Sequence, residues 1–98
     1  MARYKLTNEA VNDLEEIWIY TYQNWSVEQA DRYYNLIIDE IEFLSSNPLS
    51  GRSMDHIKEG YRVSKVKSHL VFYKIITNAA IEIIRILHQR MDVKNRMK

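Results

Sequence analysis

The 98-residue sequence has no cysteine, one proline and two glycines. Without cysteine there is no disulfide framework and no thiolate metal site, and a reducing compartment is compatible with every residue present. The few backbone punctuators are also concentrated: Pro48, Gly51 and Gly60 all fall between residues 47 and 60. That stretch therefore reads as loop, with patterned sequence on either side. No apolar run approaches the roughly 20 residues needed to span a bilayer. Met1-Ala2-Arg3-Tyr4-Lys5 leads directly into patterned sequence without an apolar signal core. The expectation is a cytoplasmic protein with no membrane association. Internal repeats and low-complexity segments are also lacking.

What is present fits one compact domain spanning residues 1–98. The hydrophobic fraction is 46%, and a chain of this length buries roughly 65% of its unfolded surface, enough for one core. A partner would add stability by mass action. The formal net charge of +1 hides a division along the chain. Residues 1–48 carry three basic and nine acidic side chains, a net of −6, whereas residues 49–98 carry eleven basic and four acidic, a net of +7. The second half is thus the candidate surface for a polyanion or an acidic protein partner.

The hydrophobic period changes at the loop. Arg3 to Leu6 alternates as a short strand. Thr7 or Asn8 then offers an N-cap to a helix whose apolar stripe runs Ala10/Val11, Leu14, Ile17/Trp18, Thr21/Tyr22 and Trp25. Asn12, Asp13, Glu15 and Glu16 are expected to face water. Ser26-Val27-Glu28-Gln29 matches a capping box, and Ala30, Tyr33/Tyr34, Ile37, Ile41 and Leu44 give a second helix its buried face. Ser45-Ser46-Asn47-Pro48 ends it. Beyond the loop, Tyr61 to Val66, His69 to Ile76 and Ala80 to Leu87 are rich in Val, Ile, Tyr and Phe. Lys67-Ser68 and Thr77-Asn78-Ala79 separate them, so they read as a β-meander. The predicted fold class is α+β: an N-terminal strand, then an antiparallel helical hairpin packed on a C-terminal three-stranded antiparallel meander. The other sheet face is expected to stay partly open. Pattern alone leaves undecided which edge the first strand joins.

Several segments occur together in a recognisable order: Asp13-Leu14, Ile17 and Trp25 in the helices, Asn47-Pro48 with Gly51-Arg52 after them, and Gly60-Tyr61-Arg62 opening the meander. His69-Leu70-Val71-Phe72-Tyr73 follows in its middle strand, then Ile84-Arg85-Ile86-Leu87-His88 with Arg90-Met91-Asp92 at its end. No one segment is specific. In combination they resemble the ParE toxins of the RelE/ParE type II toxin-antitoxin superfamily over nearly the whole chain. The resemblance implies a toxin that inhibits DNA gyrase, needs no cofactor, and is neutralised by a cognate ParD-like antitoxin in a hetero-oligomer. It implies a binding toxin rather than an enzyme. The alternative within the superfamily is a RelE-like ribosome-dependent ribonuclease that cuts mRNA.

The candidate target-binding residues are Arg62, Lys65, Lys67, Arg85, His88, Arg90, Lys94 and Arg96. Arg62 and Arg85, if neighbours on the sheet, would clamp a phosphate or carboxylate through paired guanidinium bonds. The competing reading has them bonding strand-edge carbonyls and acidic neighbours. His88 ends the last strand, where an imidazole suits either a contact role or general acid chemistry. A ribonuclease would use Arg62, Arg85 and His88. Tyr61, Phe72 and Tyr73, beside Lys65, Lys67 and Lys74, would suit base stacking, although alternation sends Phe72 and Tyr73 to opposite faces and at least one into the core. Trp18 and Trp25 read as packing residues. His56 and His69 lack partners at ligand spacing, so no metal site is expected. The tail from Gln89 to Lys98 intersperses Met91, Val93 and Met97 among its cations and reads as a surface that orders against a partner.

Overall fold

A computed structural model describes residues 3–77 and 80–97. Strand β1 (Tyr4–Leu6) is followed by helices α1 (Asn8–Asn24) and α2 (Val27–Ser46). A 3-10 turn (Pro48–Ser50) and strand β2 (Arg52–Ser53) lead to β3 (Tyr61–Val66), β4 (His69–Thr77) and β5 (Ala80–His88), and a short helix α3 (Val93–Arg96) ends the fold. The sheet order is β1-β5-β4-β3-β2, with β1 parallel to β5 and every other pairing antiparallel. The first strand thus joins the β5 edge. Asn78 and Ala79 of the last predicted turn lie outside the described residues.

Local chemistry accounts for the helix starts. The Thr7 hydroxyl accepts from the Ala10 amide at 3.0 Å and donates to the Ile84 carbonyl at 2.8 Å, so one side chain caps α1 and ties it to the sheet. Ser26 Oγ accepts from the Gln29 amide at 3.1 Å, forming half of the predicted box, while the Gln29 side chain faces Arg32 instead. Only Trp25 and Ser26 separate the helices, which therefore pack as an antiparallel hairpin.

The hairpin covers one sheet face. Ala10 and Leu14 of α1 and Ile37, Ile41 and Leu44 of α2 bury against Val66, Val71, Tyr73, Ile81, Ile83 and Ile86. Each fully buried aliphatic chain there stabilises by roughly 1.5–3 kcal/mol. Gly51 is required beneath this layer, because a Cβ at that position would overlap the Tyr73 hydroxyl and ring. The same hydroxyl accepts from the Gly51 amide at 2.9 Å and donates to the Pro48 carbonyl at 2.7 Å, pinning the loop to the sheet.

The opposite face departs from expectation. A second apolar cluster of Met54, Val63, Phe72, Leu87 and Met97 lies on it, with Ile57, Tyr61, Leu70, Ile84 and Val93 packed alongside. Residues 54–57 and α3 thus cover ground that the sequence pattern left open. Phe72 and Tyr73 do take opposite faces, as alternation requires, but both are buried. The tail is anchored through Met97, which is only 4% exposed.

Candidate target-binding surface

Strand β5 is nine residues long but β1 pairs with only three of them, Ile81 to Ile83. Where β1 stops, side chains from the start of α1 complete the edge. Thr7 takes the Ile84 carbonyl, and the Asp13 carboxylate accepts from the Ile86 amide at 2.9 Å. The same carboxylate accepts from Arg85 Nε at 2.8 Å and from a terminal guanidinium nitrogen at 2.9 Å. These bonds hold the Arg85 guanidinium above its ordinary pKa despite an opposing effect of burial. Asp13 is 8% exposed, so its expected water-facing position is incorrect. The missed signal is its place on the Ala10, Leu14, Ile17 and Thr21 stripe: a carboxylate there needs a partner.

Arg62 is also engaged. One of its terminal nitrogens donates to the Leu49 carbonyl at 3.1 Å and to the Gly51 carbonyl at 2.6 Å. Register places Arg62 opposite Tyr73 and Arg85 opposite Phe72, with β4 between the two arginines. The paired clamp is therefore not formed. Each arginine serves the frame, because the carbonyl-bonding reading describes Arg62 and the acidic-neighbour reading describes Arg85.

The remaining candidates divide between two places. Lys65 shares the α3-covered side of the sheet with Val63 and Leu70. Exposed Lys94 and Arg96 extend from α3 over that side, where Lys58 and Lys74 also lie. This makes a cationic face around an apolar centre. Lys74 is partly answered by Glu82 at 3.8 Å, a surface contact of little energetic weight. Lys67 and His88 instead sit at the far end of the sheet, beside the tip of the helical hairpin. Arg90 follows β5 in an exposed turn, and its amide donates to His88 Nδ1 at 3.1 Å.

That far end contains a group which sequence spacing did not reveal. His69 and His88 are cross-strand partners with ring centroids 5.2 Å apart, edge to face. Tyr33 of α2 reaches His69 Nδ1 with its hydroxyl at 2.6 Å. Burial raises the Tyr33 pKa, offset in part by a backbone bond from Ser68. Trp25, expected in the core, is 74% exposed at the rim of this region, because α1 ends at Asn24 before the stripe can carry it inward. Trp18 stacks on Tyr22 and donates to Asp31 at 2.9 Å, on the surface of the hairpin.

Burial, reinforced by His88 and opposed by Asp13, pulls His69 down to about 4 from 6.5. Between those values the unfolded chain binds the proton and the folded chain does not, so stability rises with pH and is lost as pH falls through that window. The ring is part-exposed, so solvent screening reduces the effect. Going from pH 7 to pH 5 should cost about 1 kcal/mol through this group. Urea unfolding at the two pH values should show the loss in the native sequence and a flatter response in His69→Gln; parallel responses would refute the assignment.

Comparison with known proteins accords with this geometry. The family model described as "ParE toxin of type II toxin-antitoxin system, parDE" matches residues 4–93. Toxin ParE1 of Mycobacterium tuberculosis is 42% identical over 92 residues, covering 94% of each chain. Toxin ParE1 of Caulobacter vibrioides is 38% identical over 94 residues, covering 96% of each. Toxin ParE of Escherichia coli is 30% identical over 97 residues, or 99% of this chain and 94% of that one. Among solved structures, one titled "Chromosomal ParDE TA system from P. aeruginosa" shares the fold with a TM-score of 0.74 at 22% identity, covering 90% of this chain and 96% of that one. A strand, a capped helical hairpin and a meander in this order, matched by a family model and by curated relatives along almost their entire length, identify the chain as a member of the ParE family of type II toxin-antitoxin toxins.

Proposed function

We propose that this chain is a single-domain, cytoplasmic toxin that inhibits DNA gyrase by binding it and is neutralised by a cognate ParD-like antitoxin. Membership of the ParE family supports the target. The observation that carries binding over cleavage is the fate of the two arginines: Arg62 is bonded to backbone carbonyls and Arg85 to Asp13. A ribonuclease would need both guanidiniums free to meet a developing phosphorane charge. Contacts to the target then fall to Lys65, Lys67, His88, Arg90, Lys94 and Arg96, with Arg62 and Arg85 holding the frame.

The open edge of β3 suits the antitoxin. Strand β2 pairs only with Arg62 and Val63, so the backbone edge of β3 from Ser64 to Val66 has no described strand beyond it. Exposed Leu36 and Phe43 of α2 offer apolar surface for an amphipathic segment. An added strand or helix there, rich in Asp and Glu, would complement the cationic half of the chain.

Purified gyrase should stop supercoiling when the protein is added and recover when the antitoxin is supplied, while translation in a cell-free system continues. His88→Ala should weaken inhibition by less than about tenfold, since a contact residue is lost but no proton transfer; removing a general acid typically costs about a hundredfold or more. Unimpaired supercoiling together with cut transcripts would reverse the reading in favour of a ribonuclease.

A further inference from the structure

We propose that the cleft at the histidine end of the sheet is a binding site for a single nucleic-acid strand, with a base stacked against Tyr20 and Trp25 and the adjoining phosphate held by Lys67 and Arg32. The site goes beyond gyrase inhibition and does not depend on it.

The cleft measures about 430 Å³, within the range of small-ligand sites. It is lined by the end of α1, the start of α2 and the β3–β4 turn, together with His69 and His88. Two features set it apart. Tyr20 is 66% exposed and Trp25 is the most exposed of the large apolar side chains described, so neither ring is placed there by packing. Aromatic faces left open beside cations are what single-strand binding sites use, because every base offers a π-face. The second feature is charge. Arg32 and Lys67 line this cleft with no carboxylate among its lining residues. Asp13 and Glu16 line the adjoining pocket that shares Tyr20, Thr21, His69 and His88, where Asp13 is already bonded to Arg85 and the Ile86 amide.

The backbone supplies an independent observation. Lys67 has φ of 54°, the one positive φ among described residues other than glycine. It occupies the first position of a two-residue hairpin loop between Val66 and His69, where glycine is the favoured residue. A side chain in the left-handed region is strained, and such strain gathers at functional positions. Lysine there projects a cation beside the cleft at a position where glycine would fit the turn better.

Fluorescence anisotropy of labelled ten-nucleotide DNA and RNA strands tests the proposal, with a ten-residue oligoglutamate peptide as the competing polyanion. The strands should bind at low salt, and Tyr20→Ala and Trp25→Ala should each weaken them about tenfold. Lys67→Gly should weaken binding and reduce the log–log salt slope by about 0.7, the value for one phosphate contact on a single strand, while leaving the thermal midpoint unchanged or higher. Lys58→Ala, on the other side of the sheet, should have no effect. A preference between deoxy and ribo strands identifies the natural source. The proposal is overturned by absence of strand binding at 50 mM salt, by indifference to the two aromatic substitutions, by equal loss in Lys58→Ala, or by peptide binding with the same dependence on Tyr20 and Trp25.

Discussion

Asp13→Ala should destabilise the fold by about 3 kcal/mol and lower the thermal midpoint by more than about 10 °C. The carboxylate accepts three hydrogen bonds, two from Arg85 and one from the Ile86 amide. Alanine would leave a part-buried guanidinium without its counter-charge and orphan a backbone donor on the edge of β5. Breaking a buried ion pair from one side costs about 3–5 kcal/mol. Arg85 borders an open cleft and can swing toward water, which places the expectation at the lower end of that range. Arg85→Ala should cost less, because Asp13 would still accept from Ile86. The double substitution should then be less damaging than the sum of the two single ones, since once Asp13 is gone the arginine has nothing to lose. Thermal unfolding of the four proteins measures this coupling. An Asp13→Ala protein within 0.5 kcal/mol of the native sequence, on the scale of a surface change, would show that the β1-to-α1 junction does not hold the edge of β5.

The reach of sequence reading in this chain follows from the range of each interaction. The helical hairpin and the meander were legible because their signals are local: Ser26 caps within three residues, and alternation over six to nine residues marks each long strand. Strand β2 has two residues and no period to detect. The Asp13–Arg85 pair spans 72 positions, and only the register of β5 beyond a three-residue β1 makes the carboxylate necessary. The His69–His88 pairing depends on a ladder whose register shifts twice, once at Phe72/Tyr73, where Ile84 is the extra residue on β5. Ile76 is the extra residue on β4, so the two shifts cancel and His69 keeps the register set by Thr77 opposite Ala80. The three-residue turn read from the sequence sets Ile76 opposite Ala80 instead, and counting back from there matches His69 with Leu87. Trp25 keeps the spacing of the α1 stripe but lies one residue past the end of the helix, where spacing no longer predicts direction. The basic residues were visible in the sequence, but their division between an α3-covered face and a separate cleft was not, because α3 folds back through long-range contacts with Phe72 and Leu87.

Deleting residues 91–98 should cost about 2–4 kcal/mol, which reverses the reading of this tail as a segment that awaits a partner. Met97 and part-buried Val93 pack over Phe72 and Leu87, and Phe72 is only 1% exposed. Truncation would open that cluster to water from the side opposite the hairpin. The cationic residues of the segment behave differently. Lys94 and Arg96 are exposed on α3, and neutralising them should change stability by no more than about 0.5 kcal/mol. Two roles therefore interleave within one short helix and can be separated by substitution. Met97→Ala should lower the thermal midpoint while leaving gyrase inhibition, measured well below that midpoint, near the native level. Lys94→Gln with Arg96→Gln should do the converse. A truncated protein that melts within 2 °C of the full chain would show that the second apolar cluster holds without α3. The tail would then return to being a surface element.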